Sequence, residues 1–440
     1  MHSMKKLFKN WMGNVKDTPK AYLEPTNEEE IVNIVQKALQ ENRKIRVVGS
    51  GHSWSPIVPS GDILLSLDQW QGIVSIDEAN HVAEIKAGTK IWRLGELLHE
   101  KGWGMENFGD INRQSLAGAM STGTHGSGIG LGTLSTQAVG FTIVTGKGEI
   151  VECSAQENPA LFKAAQVSMG LLGIITKIKI RIIPAQVLKA VKSTQNLDDT
   201  LAHLDTHLQN RHFEFYWFPC TKYTYHKTMN VTDEPAKPLG WKHKFQDIFI
   251  ENYLLWVICR LVKVFPSLAK RVSNFSGKVL KDGLFINYNH RLLSQPRLVT
   301  FTDWEFAFPV EKFTKVVKAM EAVMEQQNLK EHFPLVCRFV KGDDIPLSPA
   351  YGQDTAYISF HTYARRKNPE YLQHLEQVVK SFGGRPHWGK FHTYTTQELQ
   401  ALYPQWDVFM DMREKNDPQQ IFVNDYLQKL LGIQQTVTVN

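Results

Sequence analysis

The first part of the chain shows two periods of apolar and polar positions, one typical of helices and one typical of strands. Thr26-Asn27-Glu28-Glu29 forms a capping box, and apolar residues at helical spacing follow it, which predicts a helix to about Gln40. The alternating stretches DILLSLD, GIVSID and HVAEIKAG predict neighbouring short strands, and FTIVTG and GEIVECS predict a hairpin. This mixture predicts an α+β fold class, because strands and helices do not alternate regularly.

The pattern changes in the middle of the chain, where aromatic residues and histidines become more frequent. There the strand-like stretches WEFAFP and AYISFHTY flank a helical pattern from Val310 to Gln327. We therefore predict a first domain over residues 12–187, a second domain over 188–382, and a C-terminal segment, 383–440, that returns to the first domain.

The composition of the 440 residues is that of a globular protein and narrows the classes of partner. Lys and Arg number 50 against 44 Asp and Glu, so the net charge of +6 is small, and no basic block indicates binding to nucleic acid. The cysteines are Cys153, Cys220, Cys259 and Cys337. Their scattered positions argue against a zinc site or a disulfide framework and fit a reducing compartment, so we expect a cytoplasmic protein.

The most apolar stretch is IFIENYLLWVICRLVKVF, residues 248–265. Glu251, Asn252, Arg260 and Lys263 interrupt it, which excludes a helix that spans a lipid bilayer. Two interpretations stay open: an amphipathic helix buried in a domain interface, or a helix that lies on a membrane surface and makes a peripheral contact there.

Two glycine-rich stretches carry the candidate chemistry. The first, VVGSGHSWSP, lacks the third glycine and the following helix of a Rossmann dinucleotide loop, since Ser55-Pro56 opposes a helix. The second, SLAGAMSTGTHGSG from Ser115 to Gly128, combines small residues that let the backbone approach a ligand with hydroxyls and amides that bind anions. Two such loops predict a pyrophosphate held from two sides; the alternative is a pair of tight packing turns.

His52 and His125 each follow a glycine directly. A histidine in such a position is either a polar loop residue or a ring presented to a cofactor. Flavins can be attached covalently through a histidine nitrogen, and a rigid glycine turn is suited to hold that ring in place.

Six motifs then suggest a family. They are, in chain order, VVGSGHSWSP, NFGDINRQSLAGAMSTGTHGSG, GLLGIITKIKI, DDIPLSPAYG, RPHWGK and DPQQIFVNDYL. Together they extend from about Trp11 to Leu431 and resemble the sugar-1,4-lactone oxidases, which include gulonolactone and arabinonolactone oxidases, with alditol oxidases as near relatives. These belong to the flavoprotein group named after vanillyl-alcohol oxidase.

The resemblance implies an FAD-binding domain of two subdomains, of the vanillyl-alcohol oxidase type, with an α+β cap domain over the substrate. It also implies that FAD is bound covalently, through His52 to the flavin 8α carbon. Gly109 would leave room for molecular oxygen beside the flavin, unless it serves a turn alone. The implied FAD contacts are Val48, Gly49, Ser50, Gly51, His52, Ser53, Gly109, Ser115, Gly118, Ser121, Thr122, Thr124, His125, Gly126, Gly128, Gly173, Ile174, Ile175 and Lys390.

On the substrate side the resemblance implies catalytic roles for Arg338, Lys390 and Asp110. Lys390, in the HWGK motif, would stabilise negative charge near the flavin, and Arg338 would lie near the reacting hydroxyl. Val336 stands where the family has a glutamate that accompanies this arginine. Either the substitution is tolerated, or another acceptor serves, with Asp110 and Glu305 as candidates, or the substrate is not the usual lactone.

These expectations predict an FAD-dependent oxidase that acts on a CH–OH group of a sugar-1,4-lactone of the gulono, galactono or arabinono type, with O2 as acceptor and H2O2 as product. Three alternatives stay open: an alditol or polyol oxidase, a dehydrogenase of the same fold that passes electrons to a quinone or cytochrome, and a binding module without turnover. His361, His387 and His392 lie on separate predicted segments, so we expect no metal site.

Overall fold

The N-terminal part of the protein is a mixture of short strands and helices. The computed structural model describes residues 6–238, 240, 255–294, 299–366 and 368–434. The first strands are β1 (Phe8–Lys9), β2 (Lys16–Asp17), β3 (Ala21–Leu23), β4 (Ile45–Val48), β5 (Ile63–Ser66), β6 (Ile73–Asp77), β7 (Val82–Lys86), β8 (Trp103–Gly104), β9 (Ala138–Val144), β10 (Ile150–Ser154), β11 (Ile174–Arg181) and β12 (Ile183–Pro184). The first helices are α1 (Glu28–Gln40), α2 (Ile91–His99), α3 (Leu116–Ser121) and α4 (Pro159–Gln166), with a 3-10 turn over Leu134–Gln137.

Two sheets form the frame of this part. Strands β3, β5 and β4 form a parallel sheet, and β10, β9, β11, β7 and β6 form an antiparallel sheet in that order. DILLSLD and GIVSID, predicted as neighbours, therefore lie in different sheets, because β5 pairs with β3 and β4. The predicted hairpin of β9 and β10 and the pairing of β6 with β7 are present.

Helix α1 is capped one residue later than the sequence predicts. The side chain of Asn27 accepts a hydrogen bond from the amide of Glu30 at 2.8 Å, and the Glu30 carboxylate accepts one from the amide of Thr26 at 2.8 Å. The predicted capping box on Thr26 is therefore wrong. Asparagine is the stronger N-cap residue of the two, which accounts for the shift.

The second part is built on one large antiparallel sheet. Its strands are β13 (Val187–Asn196), β14 (His212–Trp217), β15 (Tyr223–Val231), β16 (Gly283–Tyr288), β17 (Phe301–Pro309), β18 (Leu335–Val340), β19 (Thr355–Tyr363) and β20 (Arg385–Pro386). Their order in the sheet is β16-β13-β15-β14-β18-β19-β17-β20. The helices are α5 (Leu197–Ala202), α6 (Leu204–Leu208), α7 (Leu255–Val264), α8 (Ala269–Val279), α9 (Asn289–Leu292), α10 (Phe313–Gln326), α11 (Pro369–Ser381), α12 (Thr396–Leu402), α13 (Trp406–Asn416) and α14 (Asp425–Leu431), with 3-10 turns at Pro266–Leu268 and Val310–Lys312.

This sheet has one apolar face and one polar face, because successive side chains of a strand point in opposite directions. On the apolar face, Phe215 and Phe339 pack against Phe313 of α10, with ring centroids 5.9 and 4.9 Å apart. Glu214 and Arg338 alternate with these residues, are paired in register across β14 and β18, and so share the opposite face. The polar face looks toward the N-terminal part of the protein, where the arginine meets Asp110.

The C-terminal segment holds the loop that follows β4. The buried guanidinium of Arg46, in β4, donates to the carbonyls of Ile57, Met169 and Phe422. The amide of Asn424 donates to the carbonyl of Pro56 at 3.1 Å. The first glycine-rich loop is therefore fixed from behind by residues far away in the sequence.

The two large parts are joined by backbone hydrogen bonds as well as by side chains. The amide of Gly128 donates to the carbonyl of Phe339 at 2.6 Å, within the eight-stranded sheet. The hydroxyl of Ser127 donates to the carbonyl of Phe213, and the ring of His212 contacts the Ser127 carbonyl at 2.8 Å. The end of the second glycine-rich loop is thus attached to the middle of that sheet.

The predicted domain limits stay predictions, and two features bear on them. β13 begins at Val187, next to the first limit, whereas β20 lies beyond the second limit and still pairs with β17. In the described part of the apolar stretch 248–265, α7 buries Cys259 in a cluster with Trp54 of the N-terminal part and Phe301 of the second part, while its other face is exposed. Both interpretations of this stretch therefore stay open, and residues 248–254 lie outside the described ranges. No helix among the described residues is long and apolar enough to cross a bilayer.

Candidate active site

Two cavities meet at His52. The smaller, of about 110 Å³, lies along the two glycine-rich loops, and the larger, of about 290 Å³, lies against the polar face of the eight-stranded sheet. His52, Ser53, Gln114 and Thr122 line both. A ligand that occupies both cavities would therefore pass directly beside the imidazole of His52.

Most of the FAD contacts predicted from sequence line these cavities. Those in the smaller cavity are Val48, Gly49, Ser50, Gly51, His52, Ser53, Ser115, Gly118, Ser121, Thr122, Gly173 and Ile175. Those in the larger cavity are His52, Ser53, Thr122, Thr124, His125 and Lys390. Arg338 and Asp110, predicted as catalytic, line the same cavity. The structure thus brings together residues that are far apart in the sequence and places the predicted catalytic residues on one side of His52.

Gly109, Gly126, Gly128 and Ile174 are not among the described residues that line either cavity. A Cβ atom at Gly126 would lie 2.3 Å from the carbonyl oxygen of Phe108, so close packing requires glycine there. A Cβ atom at Gly109 would lie 3.0 Å from the methyl group of Thr124, which lines the larger cavity. Gly109 therefore packs behind Thr124 and does not face the cavity itself.

The glycine-rich loops fit a ligand that approaches the backbone. A Cβ atom would lie 2.5 Å from the Ser115 hydroxyl if placed at Gly49, and 2.9 Å from it if placed at Gly118. The two loops therefore meet closely at this serine. The hydroxyl of Ser50 and the Nδ1 atom of His52 are buried and have no hydrogen-bond partner among the described residues. Both residues line the smaller cavity, so these two atoms are available to bond with a ligand there.

The imidazole of His52 is neutral at physiological pH. Burial, together with the nearby charges of Lys390, Lys90 and Arg113, lowers the pKa of His52 to about 4. A neutral imidazole keeps one nitrogen with a free lone pair. The ring also lies 5.9 Å from that of Trp11, which limits its position. His52 is therefore suited to bond with an electrophilic carbon of a cofactor.

The larger cavity contains a charged cluster around Lys390. The ammonium of Lys390 is bonded to Asp303 and lies 3.7 Å from Glu305, both on β17. Glu305 also contacts His125 at 3.2 Å and accepts a hydrogen bond from Ser359 at 2.7 Å. Burial opposes the charge of Glu305, yet the nearby Lys390 and His125 hold its pKa well below the usual range. The cluster therefore keeps the carboxylates of Asp303 and Glu305 ionised beside the cavity.

A second charged cluster surrounds Arg338. Its guanidinium donates to Glu214 at 2.8 Å and lies 3.6 Å from Asp110, and Glu214 also lies 3.4 Å from the ammonium of Lys227. Burial opposes the charge of Arg338, but Glu214 and Asp110 raise the pKa of this guanidinium above its usual value. Arg338 is therefore a permanent cation whose orientation is fixed on one side by Glu214.

Glu214 is a site residue that the sequence analysis missed. It stands between phenylalanines in HFEFYW, and a carboxylate within an apolar strand was the signal available. Val336, at the position of the family glutamate, is paired with Tyr216 on β14 and with Ser359 on β19. The side chain of Val336 offers no hydrogen-bond acceptor. The carboxylate that binds Arg338 is instead that of Glu214, on the neighbouring strand β14.

The described residues contain no group of three or more His, Cys, Asp or Glu side chains arranged to hold a metal ion. His361 instead contacts Asp303 at 3.1 Å. Burial lowers the pKa of His387 to about 3, with Glu305 opposing this shift. These two histidines belong to the polar wall of the larger cavity.

Comparisons with known proteins find matches to both parts of the chain. The family model described as D-arabinono-1,4-lactone oxidase matches residues 178–430, and an FAD binding domain model matches residues 19–154. An L-gulono-1,4-lactone dehydrogenase from Mycobacterium tuberculosis is 33% identical over 98% of this chain and 100% of its own length. An L-gulonolactone oxidase from Scyliorhinus torazame is 32% identical over 96% of this chain and 97% of its own length.

The fold is shared with more distantly related proteins. A solved structure of a solvent-stable cholesterol oxidase superposes with a TM-score of 0.81 at 19% identity, over 98% of both chains. The predicted two-subdomain FAD-binding fold of the vanillyl-alcohol oxidase type, with its α+β cap, is thereby confirmed, as is FAD as the cofactor. The chain belongs to the D-arabinono-1,4-lactone oxidase family of FAD-dependent oxidoreductases.

Proposed function

We propose that this protein oxidises a CH–OH group of a sugar-1,4-lactone of the gulono, galactono or arabinono type and transfers the electrons to O2, giving H2O2. The observation that carries the proposal is the larger cavity, where His52, Lys390 and Arg338 face one space. The names of the relatives support the substrate class, since these act on gulono- and arabinono-1,4-lactones.

The residues present fit FAD. The unpartnered atoms of Ser50 and His52 and the close approach at Gly49 and Gly118 support binding of the dinucleotide in the smaller cavity. FAD bound there would supply a two-electron acceptor for a hydride from the substrate carbon. The neutral imidazole of His52 supports covalent attachment at the point where the two cavities meet.

The side chains of the larger cavity orient the substrate. Arg338, held by Glu214, donates hydrogen bonds to oxygen atoms of the lactone, and its permanent charge favours a substrate hydroxyl that is losing its proton. Glu305 and Asp110 line the same cavity and accept hydrogen bonds from the other hydroxyls, a role that Val336 cannot serve. Lys390 places a positive charge next to His52, where negative charge develops during the reaction.

A second candidate function is a lactone dehydrogenase that passes electrons to an acceptor other than O2. The Mycobacterium tuberculosis relative carries the name dehydrogenase and matches this chain over its full length. The resemblance of Gly109 to the family position that leaves room for O2 supports the oxidase instead, and here this glycine packs behind Thr124 of the cavity wall.

The test uses the purified yellow protein. Under anaerobic conditions, L-gulono-, L-galactono- or D-arabinono-1,4-lactone should bleach the flavin absorbance, whereas xylitol and sorbitol should not. Oxygen consumption is then compared with the reduction of a dye and of cytochrome c. Arg338→Met should abolish bleaching by lactones, and the exposed Arg181→Met serves as a matched control that should not. Bleaching by polyols alone would replace the proposal with a polyol oxidase, and dye reduction without oxygen consumption would favour the dehydrogenase.

A further inference from the structure

Residues 8–17, which we call the cover segment, lie over the loop that carries His52. They form β1, β2 and the turn that joins these strands. The neighbouring Gly51 has a left-handed φ of +66°, and a Cβ atom there would lie 3.3 Å from the Cα atom of Asn10. The cover segment precedes residue 19, where the match to the FAD binding domain model begins. The first glycine-rich loop is therefore packed closely against residues outside the matched domain.

The cover segment binds the backbone on both sides of His52. The amide of Trp11 donates a hydrogen bond to the carbonyl of Gly51 at 2.8 Å. The buried side-chain amide of Asn10 donates one to the carbonyl of Ser53 at 2.9 Å. The oxygen atom of the same side chain accepts hydrogen bonds from two backbone amides of the cover segment, at 2.8 and 3.1 Å, so its NH2 group is directed at the loop. The residues before and after the histidine are thus fixed by one short segment.

The imidazole of His52 is contacted by the indole of Trp11. Their ring centroids lie 5.9 Å apart, with the planes at 32°. The indole is itself packed edge-on between Trp54 and Phe301, at centroid distances of 5.9 and 5.5 Å. Trp54 is fixed in turn, because its indole N–H donates to the carbonyl of Phe301 at 2.8 Å. Trp11 therefore forms a rigid wall that restricts rotation of the imidazole.

Trp11 is not among the described residues that line either cavity. A ligand in the cavities therefore meets His52, while the tryptophan lies on another side of the imidazole. This arrangement separates the two tasks of holding the ligand and of orienting the histidine.

On the basis of the covalent attachment put forward above, we propose that the cover segment positions His52 for that attachment, with Trp11 as the positioning residue for the imidazole. The new bond joins an imidazole nitrogen to the 8α carbon of FAD. It replaces one C–H bond of the 8α methyl group and the N–H bond of the imidazole. The two protons and two electrons released pass to O2, giving H2O2. Such a bond forms only when the nitrogen lone pair points at the carbon, which a freely rotating ring seldom achieves.

The rate of attachment tests the proposal. Full-length protein from riboflavin-starved cells is incubated with FAD in air, and the flavin that stays with the acid-precipitated protein is followed over time. Trp11→Leu should slow attachment roughly 100-fold, the effect of a misplacement of about 1 Å between reacting groups. The Kd for FAD, measured before the bond forms, should be unchanged, because Trp11 does not line the cavities.

Further variants separate positioning from folding. Trp11→Phe keeps an aromatic ring beside the imidazole and should restore most of the rate. Asn14→Ala, at an exposed position, removes the hydrogen bond to the carbonyl of Trp54 and should slow attachment without loss of FAD binding. The matched control is Trp103→Leu, which removes another half-buried tryptophan that contacts a histidine ring, that of His81 at 4.9 Å, and should attach FAD at the wild-type rate.

The possible outcomes distinguish this proposal from the one on which it rests. Attachment at the wild-type rate in Trp11→Leu would overturn the positioning role and leave attachment through His52 intact. A slow Trp11→Leu that also binds FAD weakly, with Trp103→Leu equally slow, would show a role in folding alone and overturn the proposal as well. A wild type that never holds FAD covalently would remove the attachment and the positioning role together. Bleaching by lactones, measured on the same samples, reports separately on the proposed reaction.

Discussion

Replacement of Glu214 by Gln tests whether the charged cluster around Arg338 stabilises the folded protein beside the larger cavity. The side chains of Glu214, Arg338 and Lys227 are 7%, 11% and 4% exposed, so their charges are largely removed from water. Glutamine keeps the shape of the side chain but leaves two buried cations, with Asp110 at 3.6 Å from the arginine as the remaining counter-charge. The substitution should therefore destabilise the folded protein.

The expected loss follows from the geometry. Removing one partner of a buried ion pair costs about 3–5 kcal/mol. Because Asp110 still compensates Arg338 in part, we expect the lower end, about 3 kcal/mol, in the free energy of unfolding. Urea unfolding of the holoenzyme at pH 7, followed by tryptophan fluorescence, measures this difference. Adding Lys227→Met should restore more than half of it, because the surplus positive charge is then removed.

The pH dependence gives an independent check. Burial opposes the ionisation of Glu214, but Lys227 and Arg338 hold its pKa below the ordinary value of 4.5. The contribution of Glu214 to stability is therefore complete above that ordinary value and is lost as the pH falls through its lower folded-state pKa. The difference between wild type and Glu214→Gln should shrink over that range. Equal unfolding at pH 7, or a double variant with Lys227→Met that is no more stable than the single one, would refute the reasoning.

Three further predictions concern the cofactor and the reaction. His52→Ala should leave FAD bound without a covalent bond, so that acid precipitation releases the yellow colour into the supernatant; colour that stays in the pellet would contradict the role of this histidine. Gly109→Ala should slow reoxidation by O2 in stopped-flow measurements more than it slows dye reduction, because its Cβ atom would lie 3.0 Å from the methyl group of Thr124, whereas Gly130→Ala, with no atom within 4 Å, should change neither. Lys390→Met should lower kcat roughly 100-fold, the typical effect of removing one preorganised charge-stabilising group; a change confined to KM would show that the lysine only binds substrate.

The local features of the site could be predicted from the sequence because they depend on short stretches. The two glycine-rich loops and His52 stand out by composition, and the structure places them on one cavity. Glu214 could not be found in this way, because its partner Arg338 is 124 residues further along the chain and meets it through the order of strands in the sheet. That order depends on packing over the whole domain, which the alternation within one strand does not contain.

The exposed face of α7 shows a different limit of the sequence pattern. Helical periodicity in 255–264 identifies an amphipathic segment, but it does not tell which side is covered by the protein. The buried stripe consists of Cys259 and Val262, and the bulkier Trp256 and Leu261 point outward. A rule that assigns the larger apolar residues to the core selects the wrong side here.

The hydrogen bonds of Ser127 and Gly128 to the eight-stranded sheet have a consequence for recombination between relatives. A chimera that exchanges the second domain at residue 187 would place a foreign sheet against the native loop, at the point where the amide of Gly128 donates to Phe339. Because the Ser127 hydroxyl and the His212 ring make part of this contact with their side chains, a workable graft would carry the loop together with the sheet. To transfer substrate specificity between two members of this family, a chimera should therefore exchange two separate segments, one of them inside the FAD-binding half.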